Sequence, residues 1–483
     1  MKGTKSLVAG IALLFILIPS LEAQKALGQW STHLPYGRCM KVVKTENKVY
    51  CSALGGLFYY DLLDNSLNTV SKIDSLSDNG VSAMNYNPDR KLLILAYENA
   101  NLDLITDNGI TNIPDIMKKQ IPGDKSVYDI FFFDNLAYLS CGFGIVVLNL
   151  DRLEIKDTYF IGDQGTSLKV NQTTSDGEFL YAATDKGVRK APVDDPFLID
   201  YNTWERLEDI PESNQAFGEI AWFNGTLFAG YSDPAGLQDR VLVSSGSGWS
   251  DFSGFTGTAC NEMKISGNFL ILVEDSKTDL ISENMLVIRQ FYTKKPLSAD
   301  IDSDLNFWIA DYGEGLVHEE DDSPQSYTPN GPYSSNVFDM VSSNGDLYAV
   351  GGGITTLWNN LFRMAQLFTF TQNYWKSSYT SEYRDLIAVV ADPLEKGHLY
   401  AASWGYGLLE FRDNEIVNVF NEFNSSLQNI ITGENYVRVG GLARDKQGNI
   451  WMTNTGVSEP ISVLKTDGTW KSFKADNLIS DFP

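Results

Sequence analysis

The stretch Asp176-Gly177-Glu178-Phe179-Leu180-Tyr181-Ala182-Ala183-Thr184-Asp185-Lys186-Gly187-Val188 decides the fold. Asp-Gly supplies the positive φ of a short hairpin, Phe-Leu-Tyr forms strand, two small residues follow, and a glycine opens the next strand. The phrase returns as Val49-Tyr50-Cys51-Ser52-Ala53-Leu54-Gly55-Gly56-Leu57 and as Ala137-Tyr138-Leu139-Ser140-Cys141-Gly142-Phe143-Gly144-Ile145. Later copies are Phe307-Trp308-Ile309-Ala310 leading to Gly315-Leu316, and Leu399-Tyr400-Ala401-Ala402 leading to Gly407-Leu408. Weaker copies centre on Ile94, Phe228, Ile271, Tyr348 and Trp451. With anchors at 50, 94, 138, 181, 228, 271, 308, 348, 400 and 451, the steps run from 37 to 52 residues, around the ~40–50 of propeller blades.

Each copy has the chemistry of a four-stranded antiparallel blade. Further turn pairs stand before anchors at Asn224-Gly225, Ser266-Gly267, Asn344-Gly345 and Gln447-Gly448. The small residues Ala182-Ala183 and Ala401-Ala402 are expected on the crowded inner strand beside a propeller axis. Leu57-Phe58-Tyr59-Tyr60, Ile145-Val146-Val147-Leu148 and Leu408-Leu409-Glu410-Phe411 are rich in β-formers that suit burial between blades. A lone blade cannot bury both faces, so the copies must stack, and closing the ring leaves only short edges. The expected architecture is all-β: a seven-bladed β-propeller over 24–322, then a second, incomplete β-propeller over 323–483. The boundary is placed at the acidic run His318-Glu319-Glu320-Asp321-Asp322-Ser323-Pro324. Asp476-Asn477-Leu478-Ile479-Ser480-Asp481 has the look of Asp74-Ser75-Leu76-Ser77-Asp78-Asn79-Gly80, a loop that opens a blade. The sequence is therefore expected to be the front part of a longer protein.

Composition narrows the compartment and the partners. In 483 residues, Asp+Glu number 62 and Lys+Arg 37, a net charge of −25 that repels phosphate backbones and argues against a nucleic-acid partner. Residues 1–23 read as a secretory signal peptide: Lys2 and Lys5, then an apolar run from Leu7 to Ile18, then Ser20-Leu21-Glu22-Ala23. The run is shorter than the ~20 residues that span a bilayer, and no later stretch approaches that length, so no transmembrane segment is expected in the mature chain. Gln24, not a cysteine, follows the cleavage point, which argues against a lipid anchor. Cys39, Cys51, Cys141 and Cys260 permit disulfides in three connectivities, but free buried thiols are the favoured reading because large cores need no staples. Cysteine spacing and three histidines, His33, His318 and His398, do not build a zinc site.

No catalytic signature emerges, and neither a catalytic residue, a metal ligand nor a cofactor is assigned. Gly246-Ser247-Gly248 lacks the spacing of a nucleophile elbow. The alternating carboxylates of Asp300-Ile301-Asp302-Ser303-Asp304 lack the glycine and bidentate glutamate of a helix-loop-helix calcium site, and are read as a solvated turn. Glu319 to Asp322 is read as an exposed linker. Trp404 and Tyr406 have the aromatic-glycine setting of a sugar platform but are read as packing between blades. Arg38, Lys41 and Lys44, with Lys294-Lys295, are basic spots that would suit a phosphorylated glycan; they are read as solvated charges.

The segment "SLSDNGVSAMNYNP" (75–88), echoed by "GPYSSNVFDMVSSNGDLYAV" (331–350), resembles the propeller repeats in periplasmic sensors of bacterial two-component regulators. "GQWSTHLPY" (28–36), "LILAYENANLDLI" (93–105) and "CGFGIVVLNLDRLEIKDTYFIG" (141–162) together resemble the PorZ family of type IX secretion system components in Bacteroidetes. That resemblance implies two seven-bladed propellers and a C-terminal β domain, exported to the cell surface and peripheral to the outer membrane. It also implies the sortase PorU, with PorV and PorQ, as partners, and anionic lipopolysaccharide as a ligand for delivery to secreted cargo. The expected function is thus a non-enzymatic scaffold of a protein-transport and attachment complex. Rival readings are the extracytoplasmic sensor propeller of a hybrid histidine kinase, in the periplasm, and a propeller polysaccharide lyase or hydrolase with reactive groups gathered at one axial mouth.

Overall fold

Asn-Gly pairs close the hairpins that start the blades. Asn224 and Gly225 have φ of 44° and 79°, and Asn344 and Gly345 of 53° and 82°, the double positive φ whose twist matches two antiparallel strands. The computed structural model describes residues 30–245, 248–320, 323–431 and 433–474. The signal segment 1–23, Gly246-Ser247, Asp321-Asp322 and the stretch 476–481 lie outside them.

Seven four-stranded antiparallel meanders follow one another over 39–70, 81–113, 127–159, 170–206, 217–251, 260–292 and 296–327, here sheets 1 to 7. Three more strand groups follow over 339–384, 386–420 and 437–473, sheets 8 to 10. The last two are joined where Trp404 and Gly405 pair with Arg438 and Val437. The longest α-helix among the described residues is the single turn Asp115–Lys118. No described helix is long and apolar enough to cross a membrane.

The first strand of each meander is the innermost. Inner strand Cys39–Lys44 of sheet 1 lies between Pro296–Ile301 of sheet 7 and Val81–Asn87 of sheet 2, so the seventh sheet closes on the first. The seam is a core of its own, with Val42, Cys51 and Phe58 from sheet 1 against Trp308, Ala310 and Leu316 from sheet 7. Sheets 8, 9 and 10 stack in the same manner, through Val350, Leu367, Val389 and Leu409 at one contact and Ala402, Leu408, Val439 and Met452 at the next.

All ten sequence anchors lie on second strands, one place out from the axis. The expected position of the small residues is therefore corrected. Ala182 and Ala183, in strand Phe179–Thr184, face opposite sides, one into the core with sheet 3 and the other into the core with sheet 5. They are small because large side chains such as Tyr159, Trp204 and Phe217 fill the space between neighbouring sheets.

The acidic run is corrected as well. His318–Glu320 ends the strand Gly315–Glu320, and Ser323–Tyr327 pairs back onto it as the outer strand of sheet 7. The described parts of the run, 318–320 and 323–324, therefore lie in paired strands of the sheet, which extends past residue 322 to Tyr327. Glu319 is buried and takes the Arg289 guanidinium on both oxygens, at 3.0 and 3.1 Å from Nε. All four cysteines are free; Cys39, Cys51 and Cys141 are buried and Cys260 is half-buried.

Candidate functional site

Seven inner strands enclose an axial channel with a cavity of about 260 Å³. Each carries a β-bulge against its second strand. The bulge brings one residue per sheet to an equivalent place: Lys41, Ala83, Asp129, Gln172, Glu219, Glu262 and Ser298 in turn. From that place a side-chain oxygen accepts from a backbone N–H on the next sheet. Gln172 Oε1 accepts from Ile220 at 2.6 Å, Glu219 Oε2 from Met263 at 3.2 Å, Glu262 Oε2 from Ala299 at 3.0 Å, and Ser298 Oγ from Val42 at 3.2 Å. Asp129 takes the corresponding N–H of Thr173. The same bond recurs in the second group, where Asp339 Oδ2 accepts from Val389 at 2.9 Å. A second tier lies two residues further on: Thr174 Oγ1 accepts from Trp222 at 3.2 Å and Asp300 Oδ2 from Lys44 at 3.0 Å.

Lys41 and Ala83 bring no acceptor. Lys41 instead donates to Glu262 Oε1 at 2.9 Å and is the cation nearest the ring's carboxylates. Burial alone would lower its pKa, but Glu262, Glu219 and Asp129 outweigh that and hold it above the ordinary lysine range. Burial pushes the Asp129 carboxyl up to about 6, with Lys41 pulling the other way, and holds Glu219 well above the usual carboxylate range. Lys264 pairs with Asp300 at 2.7 Å. Two sequence readings are corrected here. Asp300 is not in a solvated turn but buried on an inner strand, and Lys41 is not a solvated charge but a counter-ion in the channel wall. Chemically, these carboxylates join blade to blade.

The other carboxylates of that stretch behave as a turn. Asp302 Oδ1 accepts from the N–H groups of Asp304 and Asn306, at 2.8 and 2.9 Å, and its other oxygen meets His318 Nε2 at 3.1 Å. His318 stacks on Trp308 with ring centroids 3.9 Å apart. His398, far along the chain, has Glu410 at 2.8 Å from Nε2, with Asp392 and Glu395 beside Nδ1. Trp404 is buried and Tyr406 packs onto the core between sheets 8 and 9, so both are packing residues.

A different cluster forms where the segment before sheet 1 meets sheets 7 and 8. Trp375 Nε1 donates to His33 Nδ1 at 3.0 Å. The Arg38 guanidinium lies 4.3 Å from the Tyr333 ring and 5.5 Å from Tyr312, Lys295 stands 4.8 Å over Tyr312, and Tyr333 stacks on Tyr379 at 4.2 Å. Cations and rings thus alternate along Lys295, Tyr312, Arg38, Tyr333 and Tyr379. Among the described residues neither Arg38 nor Lys295 has a carboxylate at ion-pair distance, whereas Lys294 pairs with Glu314 at 3.1 Å. Of the five basic residues singled out in sequence, the fold brings Arg38 and Lys295 to one ring and separates Lys41, Lys44 and Lys294 from them.

Sequence reasoning missed the channel residues although a signal was present. Asp129, Gln172, Glu219, Glu262 and Asp339 each stand nine positions before the anchors Tyr138, Tyr181, Phe228, Ile271 and Tyr348.

Residues 49–205 match the family model of the type IX secretion system PorZ N-terminal β-propeller domain. No curated protein matches the chain. Among solved structures, the chain is similar to PorZ from Porphyromonas gingivalis, a surface component of the type IX secretion system, at 22% identity and a TM-score of 0.80. That likeness covers 92% of this chain, which spans 60% of the other's length. The extracellular domain of BT4673 from B. thetaiotaomicron aligns at 12% identity over 93% of this chain and 68% of its own, with a TM-score of 0.42. The propeller fold and the resemblance to PorZ are borne out.

Proposed function

We propose that this chain is the propeller portion of an exported, non-enzymatic surface scaffold of the PorZ type, acting in type IX secretion and cargo attachment. What carries the reading is the PorZ N-terminal propeller match over 49–205 within a fold that follows a PorZ structure over 92% of the chain. The channel agrees with a scaffold role, because its carboxylates are engaged in blade-to-blade bonds and ion pairs. A rigid ring with loops free on its faces suits the holding of partners. In this reading the first propeller ends after sheet 7 and a second begins with sheet 8, and the protein sits peripherally at the cell surface.

The partners proposed are the sortase PorU with PorV and PorQ, and anionic lipopolysaccharide. Lys295, Tyr312, Arg38, Tyr333 and Tyr379 are the surface we assign to the acidic glycan, since aromatic faces stack on sugar and unpaired cations meet its charge. The test has two arms. A tagged chain expressed in its host should recover the sortase from solubilised outer membranes; recovery of no secretion component sinks the scaffold reading. Arg38→Ala with Lys295→Ala should lower binding of the purified glycolipid by roughly tenfold or more. Unchanged glycolipid binding removes that surface and leaves the scaffold standing.

A further inference from the structure

The stretch 352–363 links strands Asp346–Gly351 and Met364–Thr371 of sheet 8. Its tip carries Leu357, Trp358, Leu361 and Phe362, which are 78, 62, 39 and 66% exposed. Trp358 and Phe362 stand at φ of 62° and 56°, a region that bulky side chains avoid unless their surroundings hold them there.

The surroundings do hold them. Thr355 Oγ1 accepts from the N–H groups of Leu357 and Asn359, at 3.3 and 3.0 Å, and the Thr355 carbonyl accepts from Trp358 N at 3.0 Å. The buried Asp385 carboxylate accepts from Phe362 N and Arg363 N, at 2.8 and 3.0 Å. The carbonyl of Trp358 takes the Trp404 indole N–H at 2.9 Å, and that of Phe362 takes the Arg384 guanidinium at 2.9 Å. An apolar tip is thereby fixed outward while the N–H and carbonyl groups of Trp358 and Phe362 are bonded from within, which lowers the cost of leaving water for a hydrocarbon phase. At its base lie the guanidinium groups of Arg363 and Arg384, neither with a carboxylate at ion-pair distance among the described residues. In a chain of net charge −25, this places two unpaired cations behind four apolar side chains.

We propose that this loop inserts Leu357, Trp358, Leu361 and Phe362 into the headgroup–acyl boundary of a phospholipid surface, with Arg363 and Arg384 at the level of the phosphates. The order, apolar tip then cationic collar, is the order a phospholipid leaflet presents from its interior outward. A protein pocket would accept the apolar tip but gives no reason for the collar. The inference is independent of the scaffold reading.

The test is flotation of the purified protein with vesicles of phosphatidylethanolamine containing a minor share of phosphatidylglycerol. The wild type should float, and Trp358→Ser with Phe362→Ser should reduce partitioning by roughly tenfold or more. Leu357→Ser, the most exposed position and free of backbone strain, should reduce it severalfold without touching the fold, and Arg384→Gln should lower binding by roughly fivefold. A wild type that stays at the bottom of the gradient overturns the proposal, as does a Trp358→Ser/Phe362→Ser variant that floats equally well. Concentration-dependent dimerisation lost in that variant, with no flotation of the wild type, overturns it in favour of a second copy as occupant.

Discussion

Glu219 shows how one side chain in the channel divides between hydrogen bond and charge. Burial holds its carboxyl well above the usual carboxylate range, while its Oε2 accepts from Met263 N–H. Glu219→Gln keeps an acceptor and should leave the urea midpoint nearly unchanged. Glu219→Ala strands the N–H and should cost about 1–3 kcal/mol. Asp129 gives a pH signature. Its folded pKa of about 6 lies above the ordinary ~3.9, so the native state binds the proton more tightly. The resulting stabilisation is fully present below the unfolded value and is lost as pH rises through 6. Urea unfolding of wild type against Asp129→Asn between these limits should show a difference on the order of 2 kcal/mol that opens with falling pH. A parallel pair of profiles would refute it. Lys41→Met leaves Glu262 charged in the channel wall without its partner and should cost about 3–5 kcal/mol. Adding Glu262→Gln should recover part of that loss in a double-mutant cycle.

At the scale of the strand and hairpin, the sequence was informative. All ten anchors lie on second strands; where the phrase is complete, as at Tyr181, it combines a positive-φ turn, a β-forming pair and a glycine, each with a local steric cause. Gly187 is the clearest case: its φ is 91°, and a Cβ there would sit 2.1 Å from the carbonyl oxygen of Ser213. Gly225, at φ 79°, faces open space. Gly225→Ala should therefore cost about 1–2 kcal/mol of backbone strain alone, and Gly187→Ala clearly more, since the link around Ser213 between sheets 4 and 5 must move. Equal losses in chemical denaturation would remove the steric account. What the element scale hid was direction. The bulges at residues such as 128, 218 and 261 reverse which side chains face the axis. Local propensity contains no term for that reversal, so the polar residues nine places before the anchors went unassigned.

For the molecule as a whole, neighbours decide stability. Each of sheets 1 to 7 packs between two others, whereas sheets 8 and 10 each pack against a single sheet, sheet 9, among the described residues. In stacked architectures stability is carried by such contacts. Amide exchange should accordingly be faster in 339–384 and 437–473 than in 127–251, read by mass spectrometry under native conditions. Uniform protection across both groups would count against the closed ring as the more stable part.

The repeat, the all-β class, the ten anchors and the hairpin turns are legible in the residues alone, because they follow from φ preferences and period-two burial within a few residues. The sequence also carries the resemblance to PorZ. Long-range packing sets which strand faces the axis, that Lys41, Asp129, Glu219 and Glu262 meet there, and that His318–Glu320 and Ser323–Pro324 pair within sheet 7. The physical reason is that each of these depends on a partner dozens to hundreds of residues away. Lys41 and Glu262, 221 positions apart, become an ion pair only when the seventh sheet returns to the first.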